Sequence, residues 1–90
     1  MDFKHGKNRI YLENENGESI AEVTFPQISP NEVNINHTYV DPSLRGQGVA
    51  DKLVRELVNY MRKNNLKAIS TCSYAVDWFD NHPEYDDVCK

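Results

Sequence analysis

The sequence predicts an α/β (α+β) fold, in which an antiparallel meander is extended by one parallel strand and covered by a long helix. Two observations carry this prediction. In the first forty residues, short stretches of apolar side chains alternate with polar ones, as in half-buried strands. From Ala50 to Met61 the apolar residues recur every three or four positions, which is the spacing of a helix with one buried face. A further strand and a short C-terminal helix complete the predicted order.

The first three predicted strands form the meander. The first runs from Arg9 to Asn14, and a hairpin follows because Asn16-Gly17 tolerates the positive φ of a tight turn. In the second strand, alternate residues between positions 21 and 25 are apolar. A turn over Ile28–Asn31 leads to a third strand, predicted over Glu32–Val40. Strands joined by such short turns pair in antiparallel fashion.

The predicted long helix ends at Asn64-Asn65, because Asn tolerates the left-handed conformation found at helix C-termini. Leu66–Cys72 is then predicted to be a strand that reaches the sheet by a crossover and lies parallel to its neighbour. A short helix over Tyr74–Asn81 stops before Pro83, since a residue that precedes proline disfavours the helical conformation. The apolar face of the long helix consists of Ala50, Leu53, Val54, Leu57, Val58 and Met61.

Composition and charge restrict the class of protein. The 90 residues suit one domain, predicted to span positions 1–90, with residues 1–7 loosely held. The net charge is −4, and no basic cluster is longer than Arg62-Lys63, which argues against nucleic acid as a partner. The chain has no apolar run that suits a signal peptide or a membrane span. We therefore expect a cytoplasmic monomer with no membrane partner, with its two cysteines reduced, and with no metal site.

The segment Arg45–Ala50, with the sequence RGQGVA, lies between the third strand and the long helix. The start of a helix has unpaired backbone N–H groups and a partial positive charge. Glycine lets a phosphate approach that backbone without a Cβ in the way. The pattern therefore predicts a site for the pyrophosphate of a nucleotide-like cofactor, although a purely structural connector has the same pattern.

The stretch from His37 to Ala50, with the sequence HTYVDPSLRGQGVA, resembles the acetyl-CoA-binding motif of the GNAT N-acetyltransferase superfamily. The signature of that motif is Gln/Arg-x-x-Gly-x-Gly/Ala, and Arg45, Gly48 and Ala50 match it here. A strand before the motif and a helix after it are the context that the motif requires.

Most of the chain, from Ile10 to Tyr85, is similar to a minimal subfamily of short, single-domain acetyltransferase-like proteins. The resemblance implies a GNAT-like mixed sheet, acetyl-CoA as cofactor, and an amine acceptor such as a small amine or a protein lysine. It also implies that the loop amides hold the CoA pyrophosphate, and that the pantetheine arm lies where the strands ending at Val40 and near Cys72 splay apart. The residues expected to bind the cofactor are Tyr39, Val40, Arg45, Gly46, Gln47, Gly48, Val49, Ala50 and Tyr74.

Two residues are candidates for catalysis. Phe79 stands where the superfamily pattern has a Tyr that acts as the general acid, and Cys72 stands where the pattern has an Asn. Cys72 is a candidate for accepting acetyl covalently or for lining the thioester pocket, and it also fits a small core residue. His37 is the candidate base or orienting group, because its reference pKa of about 6.5 suits proton transfer. Its alternation with Val33 and Ile35 also fits a histidine that faces inward.

The function predicted from these features is an acetyl-CoA-dependent N-acetyltransferase that moves an acetyl group to an amine. The alternative is a non-catalytic acyl-CoA-binding or protein-interaction module of the same fold. The missing acid at Phe79 favours that alternative.

Overall fold

The structure is a computed structural model, and it describes residues 2–90. Its strands are β1 (Lys4–Gly6), β2 (Arg9–Glu13), β3 (Ser19–Thr24), β4 (Gln27–Ser29), β5 (Glu32–Ile35), β6 (His37–Val40) and β7 (Lys67–Ser70). Its α-helices are α1 (Val49–Lys63) and α2 (Ser73–Asp80), and two 3-10 helices cover Pro42–Leu44 and Pro83–Val88.

Strands β1, β2, β3 and β6 form an antiparallel sheet in that order. The predicted hairpin between β2 and β3 is present, with Gly17 at a φ of +78°. Asn14 stabilises this turn, because its Oδ1 accepts the backbone N–H groups of Asn16 and Glu18. The apolar residues at positions 21, 23 and 25 are all buried, as their alternation predicts.

Strand β1 departs from the expectation that residues 1–7 are loosely held. Lys4, His5 and Gly6 pair with residues 11 to 9 of β2, and the Lys4 ammonium donates to Glu13 at 2.6 Å. That expectation is therefore wrong for residues 4–6, whereas Met1 lies outside the described residues. The polar composition misled the prediction, because an edge strand needs few apolar side chains.

The predicted third strand is divided into β5 and β6, which belong to different sheets. His37 lies opposite Thr24, and the N–H of Asn36 also donates to the Thr24 carbonyl at 3.2 Å, so two residues oppose one. This arrangement is a β-bulge, and it reverses the alternation of side chains between the faces. The apolar residues of β5 are buried while His37 is exposed, so the prediction of an inward-facing His37 is wrong.

Strands β4, β5 and β7 form the second sheet, in which β5 and β7 are parallel from Glu32↔Lys67 to Ile35↔Ser70. Helix α1 connects β6 of the first sheet to β7 of the second sheet. The turn predicted over Ile28–Asn31 is wrong in its first half, because β4 pairs with β5 and only the Pro30-Asn31 dipeptide turns.

Helix α1 packs its apolar face against β2, β3 and β6 of the first sheet. The helix begins after Gly48 and ends before Asn64, and Asn65 has a φ of +56°, in keeping with the predicted stop. Val49 is buried, whereas Ala50, predicted to face the core, is half-buried. The buried core consists of Ile10, Ala21, Val23, Phe25, Val33, Ile35, Val49, Leu53, Val54, Leu57, Val58, Met61, Ala68, Ala75, Trp78, Phe79 and Val88.

The C-terminal segment returns along α1 to β7. Arg62 of α1 donates to Asp87 at 2.6 and 2.9 Å, and Ala68 of β7 pairs with Cys89 in a single bridge. The predicted fold class, an antiparallel meander with a parallel strand, a long helix and a short C-terminal helix, is confirmed. No helix within residues 2–90 is long and apolar enough to cross a membrane.

Candidate functional site

A cleft opens where the chain passes from β5 of the second sheet to β6 of the first. Ile35 ends the pairing of β5 with β7, and its carbonyl accepts the N–H groups of both Thr71 and Cys72 at 3.0 and 3.2 Å. Beyond this point β6 pairs only with β3 on the other side. Strand β6 and the segment that follows β7 therefore part, as the family resemblance implies. At the narrow end of the cleft, Sγ of Cys72 lies 3.6 Å from the hydroxyl oxygen of Thr38.

Alternation along β6 decides which backbone groups line the cleft. The N–H of Asp41 donates to the Ile20 carbonyl of β3 at 2.8 Å, and Tyr39 lies in register with Glu22. In an antiparallel pair every second residue bonds to the partner strand, so the backbone of Tyr39 faces β3. The N–H and carbonyl groups of Thr38 and Val40 face the cleft.

The predicted anion loop leads from the cleft to α1. Gly46 and Gly48 have φ values of +83° and +69°, which favour glycine. The first N–H of α1 with a backbone acceptor is that of Lys52, which donates to Gly48. Within residues 2–90, nothing accepts a hydrogen bond from the N–H groups of Gly46, Gly48, Val49 and Ala50. These four donors are free to bind an anion.

A surface cavity of about 230 Å³ lies against this loop. It brings together seven of the nine residues predicted to bind the cofactor, and adds Leu44 and Asp51, which sequence reasoning missed. Gln47 and Tyr39 do not line it. The side chain of Val49 is buried, so Val49 can offer only its N–H. The seven residues are Val40, Arg45, Gly46, Gly48, Val49, Ala50 and Tyr74.

Cys72 is the N-cap residue of α2 and is half-buried. Burial raises the pKa of its thiol, but N–H groups of Ala75, Tyr74 and Thr38 and the Thr38 hydroxyl outweigh burial, so the pKa is below its ordinary value. Burial and the charge of Asp51 raise the pKa of Tyr74, which keeps this phenol protonated.

His37 lies on the outer face of β6, and no hydrogen bond joins it to Cys72 within the described part of the chain. Its Nε2 is 3.9 Å from Oε1 of Glu22. Arg9 holds the other Glu22 oxygen, with Nε at 3.1 Å and a terminal nitrogen at 2.8 Å. Sequence reasoning missed Glu22 because only the β3–β6 register brings it beside His37.

No group of three metal-ligating side chains that could hold a metal ion occurs within residues 2–90. The histidines and acidic residues instead contact one another in pairs; for example, Nε2 of His5 lies 2.9 Å from Oε2 of Glu56.

A model of the GCN5-related N-acetyl-transferase family matches residues 9–88. The chain belongs to this family. A GCN5-like candidate N-acetyltransferase from Staphylococcus aureus, whose solution structure was determined by NMR, is 40% identical with a TM-score of 0.81. That similarity covers 99% of this chain and 87% of the S. aureus chain.

More distant structures share the GCN5-related fold. YhbS from Escherichia coli, solved in complex with CoA, is 22% identical with a TM-score of 0.60 over 69% of this chain and 38% of its own. Rv2747 from Mycobacterium tuberculosis, also solved with CoA, is 18% identical with a TM-score of 0.65 over 84% and 47%. At these identities the likeness shows the fold, and the chain spans less than half of either protein. A search of curated proteins gives no match.

Proposed function

We propose that this GCN5-related chain binds acetyl-CoA in the loop cavity and the cleft, and transfers the acetyl group to an amine. The observation that carries the proposal is the set of four free N–H donors, those of Gly46, Gly48, Val49 and Ala50, in the loop and the first turn of α1. Val40 lines the cavity and also turns its backbone to the cleft, so it connects the phosphate end of the site with the thioester end.

The chemistry of the loop fits a pyrophosphate. Two of the four donors belong to Gly46 and Gly48, where no atom lies within 4 Å of the position that a Cβ would take. Phosphate oxygens can therefore reach the backbone, and Arg45 adds a cation at the rim of the cavity. The peptide groups of Thr38 and Val40 suit the amides of the pantetheine arm, because both offer a donor and an acceptor.

Bound acetyl-CoA would supply the activated acetyl thioester. The incoming amine must lose a proton, and His37 is the proposed base, with Glu22 to stabilise the imidazolium that forms. The protonated phenol of Tyr74 lies at the cavity and can donate a hydrogen bond there.

We propose two alternative roles for Cys72. Its lowered pKa and its place at the narrow end of the cleft suit a relay, in which Sγ takes the acetyl carbon and the thiol proton passes to the departing CoA sulfur. An amine would then take the acetyl group and release the Cys72 thiol. In the simpler role, Cys72 lines the thioester pocket and forms no bond.

A second candidate function is a non-catalytic acyl-CoA-binding module. Phe79 occupies the position at which related enzymes have a Tyr that acts as the general acid. Its side chain is 7% exposed and packs edge-on against Trp78, with 5.1 Å between the ring centroids, so it is part of the hydrophobic core. A protein that retained only the loop and cleft would bind acetyl-CoA without transferring its acetyl group.

Release of free CoA thiol, measured with polyamines and lysine-containing peptides, separates the two functions. We expect release that depends on the added amine and that falls about tenfold or more in His37→Gln. Binding of acetyl-CoA without amine-dependent release would support the non-catalytic module instead.

Intact-mass spectrometry after incubation with acetyl-CoA tests the relay. We expect an acetyl adduct that Cys72→Ala abolishes and Cys89→Ala retains. An unmodified wild-type protein that still turns over would exclude the relay and leave Cys72 as a lining residue.

A further inference from the structure

Asp51 places a negative charge beside the proposed phosphate site. It is the third residue of α1 after the N-cap Gly48, and it lines the loop cavity. An acidic side chain at this position commonly turns back and accepts the N–H of the N-cap residue, as in a capping box. If Asp51 did so, its carboxylate would occupy the donors that a phosphate needs.

The Asp51 carboxylate is instead held by two side-chain donors, one on α2 and one on α1. Its Oδ1 accepts the indole N–H of Trp78 at 2.7 Å, and its Oδ2 accepts Nε of Arg55 at 2.8 Å. The Gly48 N–H donates to no group within residues 2–90, so it remains free. These contacts offset the effect of partial burial and keep the pKa of Asp51 below its ordinary value.

Both donors are themselves held in place. Trp78 is 4% exposed, and its ring stacks on His82 at 4.0 Å and on Tyr85 at 5.4 Å between centroids. Arg55 also donates to the Tyr85 hydroxyl at 3.0 Å. The C-terminal 3-10 helix and α2 therefore fix the direction of a side chain at the start of α1.

We propose that Trp78 and Arg55 are positioning residues for the anion loop, because they hold the Asp51 carboxylate away from the loop N–H groups and keep those groups open to phosphate. This inference rests on the proposed function. Arg55 also neutralises a charge that would otherwise repel the pyrophosphate. Release of either contact lets Asp51 cap the helix and compete with the ligand.

The variant Arg55→Met tests this, because Met keeps an aliphatic stem and removes every N–H donor. The matched control is Arg62→Met on the same helix, since Arg62 is similarly exposed and forms an ion pair with Asp87. Titration calorimetry with acetyl-CoA should show about five- to tenfold weaker binding for Arg55→Met only. Binding of S-acetylpantetheine, which lacks the pyrophosphate, should be unchanged in both variants.

Rescue by Asp51→Ala decides the mechanism. In the Asp51→Ala background, Arg55→Met should cost no affinity, because no side-chain oxygen remains to compete for the loop N–H groups. A loss that persists in this background would show that Arg55 contacts the ligand directly and would overturn the inference. Trp78→Phe, which retains a ring and removes the N–H, should behave like Arg55→Met if it folds.

A measurement without ligand separates this inference from the proposed function. Hydrogen exchange of the Gly48 amide should slow about threefold in Arg55→Met, because the freed carboxylate accepts its N–H, and should return to the wild-type rate when Asp51→Ala is added. Unchanged exchange would overturn the inference even if acetyl-CoA binds. Slowed exchange in a protein that binds no acetyl-CoA would support the positioning of Asp51 and refute the proposed function.

Discussion

The two cysteines occupy environments that push their pKa values in opposite directions. At Cys72, N–H groups and a hydroxyl favour the thiolate more than burial opposes it. At Cys89, burial and the charges of Asp86 and Asp87 all raise the pKa. The surroundings of the two thiols therefore differ in a way that neither sequence position reveals.

We predict that alkylation of Cys72 by iodoacetamide has its pH midpoint below that of Cys89, because only the thiolate reacts. Site-resolved mass spectrometry of the alkylation rate against pH measures both midpoints in one sample, so Cys89 is the internal control. Comparison of midpoints, rather than of rates, removes the effect of unequal exposure. Coincident midpoints, or a lower one for Cys89, would contradict this account of the Cys72 environment.

Single residues of the site were predictable to different degrees. The loop glycines lie within one continuous motif and depend on local backbone geometry, so the sequence alone was sufficient to select them. Glu22 and Asp51 were missed, since their roles arise from partners distant in sequence, His37 across the β3–β6 register and Trp78 on α2. Nothing in a linear pattern indicates such contacts.

At the scale of elements, the start of α1 combines a structural role with the proposed ligand site. Gly48 adopts the left-handed conformation that turns the chain into the helix, and its N–H is one of the free donors. A side chain at position 48 would strain the left-handed backbone conformation and, at the same time, displace the free N–H donors of the loop.

We predict that Gly48→Ala destabilises the protein by about 1–2 kcal/mol and also weakens acetyl-CoA binding. The matched control is Gly17→Ala in the β2–β3 hairpin, where φ is +78° and the space around a Cβ is equally open. Both variants should lose similar stability in urea denaturation, and only Gly48→Ala should lose affinity in calorimetry. Equal affinities of the two variants would show that the loop is a structural connector.

The division of the third strand could not be predicted from alternation. Asn34 and Asn36 continue the polar half of the pattern on both sides of the break, so an unbroken strand was the simplest interpretation. The bulge at Asn36 and His37 is detected only by the pairing with Thr24. The bulge also opens the cleft, because the chain pairs with β7 before the bulge and with β3 beyond it.

At the scale of the whole molecule, the C-terminal segment connects α1 to β7 of the second sheet. The guanidinium of Arg62 donates two hydrogen bonds to Asp87 and holds the pKa of that carboxyl below its ordinary value. A carboxyl with a lowered folded-state pKa contributes stability above its unfolded pKa and loses it as pH falls through the folded value.

We therefore predict that Asp87→Asn lowers the melting temperature at about pH 7, that this difference shrinks as the pH falls below about 3.9, the ordinary pKa of Asp, and that it is lost below the folded-state pKa. The matched control is Asp80→Asn, an exposed acid for which the structure shows no ion pair within residues 2–90. Melting curves followed by circular dichroism at several pH values measure the effect. A difference that persists at the acidic end would mean that Asp87 stabilises the fold without its charge.

Most of the architecture followed from periodicity, because burial of one face imposes it on strands and helices alike. The α1 face and the alternating strands were predicted for this reason, whereas the hairpin was predicted from the Asn16-Gly17 turn and the parallel strand from the crossover rule. The two-sheet arrangement and β1 were not, since they depend on edge pairing that requires few apolar residues.

The central claim, that the loop cavity holds the CoA pyrophosphate, is tested most directly by amide chemical shifts during a titration with acetyl-CoA. The structure offers a second, larger cavity of about 500 Å³ between β1 and α1, lined by His5, Glu56, Asn59, Tyr60, Lys63 and Asn64, so the location of the shifts is informative. We predict saturable shifts at Gly46, Gly48, Val49 and Ala50, followed by Thr38 and Val40 along the cleft. Shifts confined to the larger cavity, or none in a folded protein, would contradict the account.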